Sequence, residues 1–425
     1  MISLLRIFWL DVTALVRSWT TLILLAASLG WMFAANFLLV TDATEDGARE
    51  MFVRYGLGGA FALLVVAVLA IATGAIASER ESRRLQLALV RPVPGLAIAW
   101  GKFLALSTVA AAILAFPCAT LLVSSEFSGR RCSHVYRPVL ESPREEALKM
   151  YDSYMADPET SPMVKKAKKS VVLRILEQRA KDHYQTVMTN ATAYWSFPAD
   201  DIASARQFAD PTPPSVRFRF SNGFGMRDDV RGTVSADGFS GTVSNITQTA
   251  VVVPLAACIN DCGKGVVSFT NTGGNPVMLR PRQDVELLIP ADSFAWNLLR
   301  SYVVMASILA LVAALGIFLG AGLSRPVAMF VAFVALIVVE MGPSVAEQYP
   351  DSLETDAVDR FGLAIVRAVG TCAKPPSALS PLSRLASDDC VEAKDALGTF
   401  AADFVLAPAV LSLLSAFVMR RKTQD

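Results

Sequence analysis

Apolar residues in this chain gather into six long runs separated by polar stretches of very unequal length: Trp19–Val40, Leu57–Ala77, Phe103–Val123, Leu298–Leu319, Pro326–Met341 and Phe400–Met419. An α-helix needs about 20 mostly apolar residues to cross about 30 Å of hydrocarbon, so each run predicts a membrane-crossing helix. The fifth is short and is extended on this reading through Pro343 to Val345. Ahead of the first run, Ser3, Arg6, Thr13 and Arg17 recur at helical spacing, with Leu10 the exception in that row. That spacing predicts an amphipathic helix lying in the interface. A signal peptidase cutting near Ala35 needs small residues at both key positions, and Phe33 occupies one of them, so the first run is read as uncleaved.

The long stretch between the third and fourth runs has two textures. Ser142-Pro143-Arg144-Glu145 is a capping box with proline at the first helical position, and Ser161-Pro162 opens a second helix in the same way. Together they predict a helical pair within 142–190, about Pro143–Met155 and Pro162–Thr189, with Lys165, Lys166, Lys168 and Lys169 on solvated turns. From Ser215 the pattern switches to short alternating runs: Val216–Ser221, Gly232–Ala236, Gly241–Ile246, Val251–Leu255, Val266–Thr270 and Val285–Ile289. Asn222-Gly223, Asp237-Gly238 and Gly273-Gly274 punctuate them as turns, which predicts a small antiparallel β-sandwich over 215–290.

Composition agrees with a membrane protein. Only 18% of the 425 residues are charged and 53% are hydrophobic, against roughly 25% charged in a soluble domain. The formal net charge of +1 offers no argument for nucleic acid. Where the cations sit says more than their sum. Arg6 and Arg17 precede the first run, an arginine-rich loop follows the second, Arg325 separates the fourth and fifth, and Arg420, Arg421 and Lys422 follow the sixth. Short basic loops stay in the cytoplasm, so the expected fold is an α-helical polytopic membrane protein with six transmembrane helices and both termini cytoplasmic. An α+β extracytoplasmic domain containing the β-sandwich is inserted in it. The expected divisions are 1–123 with the first three helices, 124–293 outside the cytoplasm, and 294–425 with the last three helices and an outer loop over 342–399.

The arginine-rich loop, Ser78 to Lys102, concentrates the chemistry. Ser78 as N-cap and Glu81 three residues on form a capping box, Leu85 and Leu89 share one face, and Pro92 and Pro94 stop the helix. A short amphipathic helix over 78–91 at the cytoplasmic face suits a membrane subunit that receives force from a soluble motor. No G-x-x-x-x-G-K-[ST] loop is present, since Gly263-Lys264 lacks the upstream glycine; HExxH and G-x-S-x-G are missing as well. His134 and His183 are far apart in sequence and read as surface histidines. Ionisable groups within the runs are few, with Glu340 and Asp403 near run ends, which weighs against ion coupling. The chain is therefore not read as an enzyme.

Glu79-Arg80-Glu81, Leu85-Gln86-Leu87-Ala88-Leu89, Pro92-Val93 and Gly101-Lys102 follow one another here. In this the chain resembles the membrane permeases of ABC exporters of the second exporter type, over about 25 residues and in its six-helix layout. It departs from them at Arg83-Arg84, where a small Gly-Thr pair is common, and in its large outside domain. The resemblance implies a permease of the bacterial cytoplasmic membrane that works with a second permease copy and ATP-binding subunits. It places ATP and Mg on that partner and no cofactor on this chain. Glu79, Glu81, Arg83, Arg84, Leu85, Leu89, Arg91 and Lys102 are then the residues expected to couple to the motor.

The competing expectation is a multi-pass anchor that displays an envelope- or carbohydrate-binding domain, with Tyr194, Trp195 and Phe197 as a sugar-stacking surface or, alternatively, as packing. Cys132, Cys258, Cys262, Cys372 and Cys390 fall in segments expected outside the cytoplasm, where disulfides persist. The expected pairs are Cys372 with Cys390 and Cys258 with Cys262, a bridge from the latter pair to Cys132 staying open.

Overall fold

The computed structural model describes residues 2–38, 45–82, 94–124, 127, 129–140, 143–156, 169–181, 185–198, 214–221, 229–236, 239–246, 250–254, 265–348 and 381–422. They form two compact units: a helical one built from the segments before Arg131 and after Asp292, and a β-rich one, Arg131–Asp292.

In the helical unit α1 (Ile2–Val16) bends by 60° into α2 (Trp19–Leu38). A short α3 (Glu45–Met51) passes through a π-helical stretch, Phe52–Leu57, into α4 (Gly58–Glu81). There follow α5 (Gly95–Val123), α8 (Phe294–Gly322) and α9 (Arg325–Gln348), with α6 (Pro143–Ala156) and α7 (Lys169–Lys181) in the other unit. Short helices α10 (Pro381–Ala386) and α11 (Ala393–Thr399) precede a second π-helical stretch, Phe400–Leu406, and α12 (Ala407–Lys422). Among the described residues, four continuous helices are long and apolar enough to cross a membrane, Gly47–Glu81, Gly95–Val123, Phe294–Gly322 and Ala393–Arg421, and the α1–α2 pair passes the same test as a bent span. These dimensions are those of a multi-pass membrane protein.

Helix α8 is the centre of the bundle. Of its most apolar window 67% is buried, against 22% for the C-terminal helix. Its approach to α4 is set by two glycines one helical turn apart. A Cβ on Gly316 would lie 2.5 Å from Ala72 Cβ, and one on Gly320 would lie 2.5 Å from the Thr73 carbonyl oxygen. Small residues at this spacing let backbones touch, which is how helices associate where no hydrophobic effect drives them together. Phe33, Phe37, Phe330 and Phe417 project from α2, α9 and α12 with more than half of each exposed. Such a surface suits lipid rather than water.

The described residues of the β-rich unit form two four-stranded sheets and a two-stranded ribbon. One sheet has the order β1-β10-β4-β7, with β1 Arg131–Tyr136, β4 Ser215–Arg219, β7 Ala250–Pro254 and β10 Val285–Ser293. The other has the order β3-β8-β5-β6, with β3 Thr192–Phe197, β5 Asp229–Ala236, β6 Phe239–Ile246 and β8 Gly265–Asn271. β2 (Gln185–Val187) pairs with β9 (Val277–Leu279). Val216, Phe218 and Leu287 from the first sheet and Trp195, Val234 and Phe269 from the second share one core, so the sheets pack face to face. Gly232 makes room for this core: a Cβ there would sit 2.4 Å from the Phe269 ring. All six predicted strands are present, but the sandwich begins at Arg131 rather than near Ser215, because β1 and β3 complete its sheets.

The helical pair is α6 (Pro143–Ala156) and α7 (Lys169–Lys181), joined by a small core of Ala147, Val172 and Leu176. The second helix does not reach Thr189; Gln185–Val187 is drawn into a strand by its ladder to Val277–Leu279. The helical unit also keeps Phe127, whose ring stacks on Phe294 at 4.8 Å, so the division between the units falls at Arg130–Arg131 and not at Ser124.

Candidate functional site

The predicted coupling region lies where α4 ends. Its capping box is not used: α4 runs unbroken through Ser78 to Glu81, and the Ser78 hydroxyl donates back to the Gly74 carbonyl at 2.6 Å. Ser78 is therefore an interior residue and not an N-cap. The physical reason is the pair that follows it, because both side chains are held by distant helices while the backbone is helical.

Arg80 donates to the carbonyls of Ala321 at 2.9 Å and Leu323 at 2.6 Å. These belong to the end of α8, where the last carbonyls lack helical donors and the helix dipole favours a cation. One guanidinium thus ties the C-terminus of α4 to that of α8. Glu79 accepts a hydrogen bond from Lys102 Nζ at 2.7 Å, and Asp11 Oδ2 of α1 lies 3.7 Å from the same nitrogen. Lys102 is largely buried in α5, with 10% of its side chain exposed, so its charge is offset by two carboxylates from two other helices. At 3.7 Å the Asp11 contact is an ion pair without a hydrogen bond.

Helix α1 reaches this junction because Leu4, Ile7, Phe8, Asp11, Val12 and Leu15 form one inward stripe at helical spacing. Gly101 admits it, since a Cβ there would lie 2.6 Å from Ile7 Cγ2. The opposite face, with Leu5, Trp9 and Val16 more than half exposed, is apolar as well. Helix α1 is therefore apolar on two sides, one packed on protein and one open.

Of the residues predicted to couple to a motor, Glu79 and Lys102 come together and Glu81, the last residue of α4, is exposed. Arg83, Arg84, Leu85, Leu89 and Arg91 lie outside the described residues. Asp11 and Arg80 were not among the predicted set. Arg80 carried a readable signal, a cation in the last turn of a helix, but its acceptors lie more than 240 residues away. Gly316 and Gly320 carried one too, in their four-residue spacing.

At the other end of α8, Asn297 is fully buried, donates to the Asp389 carbonyl at 2.9 Å and accepts from the Val391 amide at 2.8 Å. Arg130 pairs with Asp388 at 2.5 Å, so the segment before α11 is pinned to the bundle. Cys132 and Cys390 are both disulfide-bonded, and Cys118 is a buried free thiol. Cys258, Cys262 and Cys372, which the expected pairs require, lie outside the described residues.

Within the sandwich, Trp195 and Phe197 are core residues at 3% exposure, and Trp195 donates its indole N–H to Gln185 at 3.1 Å. Only Tyr194 of the predicted stacking trio faces out, because alternate residues of a strand point to opposite faces. The packing reading holds for Trp195 and Phe197, and for these two the sugar-stacking one is corrected. No family model matches the chain, and no curated protein or solved structure is similar enough to match it.

Proposed function

We propose that this chain is the membrane-spanning permease subunit of an ATP-driven ABC exporter. On this reading it has six transmembrane helices and both ends in the cytoplasm of a bacterial cell, with the β-rich unit outside the inner membrane. Two permease copies work with two ATP-binding subunits, which supply ATP and Mg. The observation that carries the reading is the stitching of the last turn of α4. Glu79 and Arg80, adjacent in sequence, hold α5 and α8 at once, and Lys102 adds α1. A displacement imposed on the chain after Ser82 is borne by all of these helices together. Closure of the motor must favour one state of the bundle by several kcal/mol to shift its population decisively.

Co-purification tests this. The solubilised protein is expected to bring down an ATPase, and Leu85→Asp or Leu89→Asp to release it; absence of any ATPase, or indifference to both substitutions, overturns the reading. Reporter fusions after residues near Arg91 and Gln207 test the sidedness, with Arg91 expected inside and Gln207 outside.

The second reading is a multi-pass anchor for a binding domain, favoured by a sandwich of eight strands that has its own continuous core. It predicts that the loop after Ser82 tolerates substitution.

A further inference from the structure

Beside the stitched junction lies a cavity of about 380 Å³, lined in part by Arg325, which the coupling reading leaves unused. That volume falls within the roughly 300–1,000 Å³ of small-ligand sites. Asp11, Ser78, Lys102 and Arg325 line it, Ser78 in the last turn of α4 and Arg325 at the start of α9. Two turns further into α4 and one turn further into α5, its lining becomes Ala70, Ile71 and Leu106. From Ser78 to Ala70 is a depth of about 12 Å at 1.5 Å per residue. The cavity is thus polar at one end and apolar at the other.

Its charged groups differ in what they still need. Lys102 is engaged by Glu79 at 2.7 Å. Arg325, the first residue of α9, is exposed, and its guanidinium lies across Gly74, where a Cβ would meet Nε at 3.2 Å. No hydrogen bond or ion pair holds it among the described residues. Asp11 Oδ2 is buried and faces Lys102 Nζ at 3.7 Å, too far for a hydrogen bond, and it accepts none among the described residues. A guanidinium fork matches a phosphate, and a buried carboxylate oxygen asks for an N–H or O–H donor, because leaving it unsatisfied is costly. A ligand that answers both carries an anion and a donor close together, with alkyl groups for the inner wall.

We propose that this cavity binds the aminoalkyl phosphate headgroup of a phospholipid, its phosphate on Arg325 and its ammonium on Asp11. The acyl chains leave along Ala70, Ile71 and Leu106. A primary ammonium offers three donors and a quaternary one offers none, so the site discriminates phosphatidylethanolamine from phosphatidylcholine. The inference needs no motor partner and stands apart from the exporter reading.

Native mass spectrometry of the full chain released from detergent micelles tests it, with phosphatidylethanolamine, phosphatidylcholine, free phosphoethanolamine and inorganic phosphate each titrated. The expected result is retention of phosphatidylethanolamine about tenfold better than of phosphatidylcholine, the scale of one charge-assisted hydrogen bond. Arg325→Ala should lower that retention about tenfold, and Asp11→Asn should erase the difference between the two lipids. Ala70→Phe should weaken the lipid by filling the inner wall, and Arg421→Ala, basic but away from the cavity, should change nothing. Equal retention of the two lipids by the wild type, or retention unmoved by Arg325→Ala, overturns the proposal. Phosphoethanolamine or phosphate binding as tightly as the lipid overturns the lipid source and leaves a soluble phosphate compound as the ligand. Arg325 is exposed, so its variant folds and decides the matter even where Asp11→Asn proves unstable.

Discussion

Replacing Lys102 with methionine keeps most of the apolar stem and removes the cation between Glu79 and Asp11. At 2.7 Å and an effective dielectric near 20, the Lys102–Glu79 attraction is about 6 kcal/mol before solvation is counted. Glu79 keeps 36% of its side chain exposed and Asp11 29%, so water screens both, and desolvation of the ammonium opposes the gain. A net cost of about 1–3 kcal/mol for Lys102→Met remains. The sign of a second substitution is more informative than this size. In the wild type, Asp11→Asn removes an attraction to Lys102 and should be neutral or slightly destabilising. In the Lys102→Met background the same change removes a carboxylate that faces Glu79 without a cation between them, and it should stabilise. Thermal unfolding of the four proteins in one detergent, followed by tryptophan fluorescence, closes the cycle. Each kcal/mol corresponds to about 2–4 °C in a domain of 150–250 residues, so Lys102→Met should unfold a few degrees below wild type. Melting of Lys102→Met with wild type, or an Asp11→Asn shift of the same sign and size in both backgrounds, would refute the idea that one ammonium joins three helices.

Gly320→Val places side-chain atoms where the Thr73 carbonyl already is; it should cost at least about 1–3 kcal/mol, visible as loss of the monodisperse peak in size-exclusion chromatography. Arg217 and Glu286 are cross-strand partners buried to 4% and 6%, with hydrogen bonds of 2.8 and 2.6 Å. Arg217→Ala leaves Glu286 in place without that partner and should destabilise by about 3–5 kcal/mol, whereas replacing both with apolar residues should be close to neutral; denaturant unfolding compares them. In unreduced, denatured protein a maleimide should label Cys118 and spare Cys132 and Cys390, and labelling of either of the latter before reduction contradicts the bonded state.

Much of the β-rich unit was legible because a strand on a two-layer core must alternate, and the six predicted runs do. β3 alternates as well, with Ala193, Trp195 and Phe197 inward. Its aromatics admitted both a stacking surface and packing, and only the core shared by the two sheets shows that Trp195 and Phe197 are interior. β2 and β9 have three residues each and are too short for any period to appear. In the candidate site, Glu79 and Lys102 were legible as charges and the structure pairs them, while the helix boundary at Ser78 was misplaced. A capping box shows that a helix is able to start at Ser78, and it is overruled when neighbouring side chains find partners that keep the backbone helical through it.

The sequence by itself determined which segments are long and apolar, which alternate, and where cations collect, because these follow from each segment's own side chains and the periods of helix and strand. Tertiary structure alone decided that Arg80 caps α8, that Lys102 is shared by α1 and α4, and that the sheets run β1-β10-β4-β7 and β3-β8-β5-β6. Those pairings join residues from distant parts of the chain. Their free energy comes from burial and from satisfying groups that no local pattern contains, so no window of sequence records them.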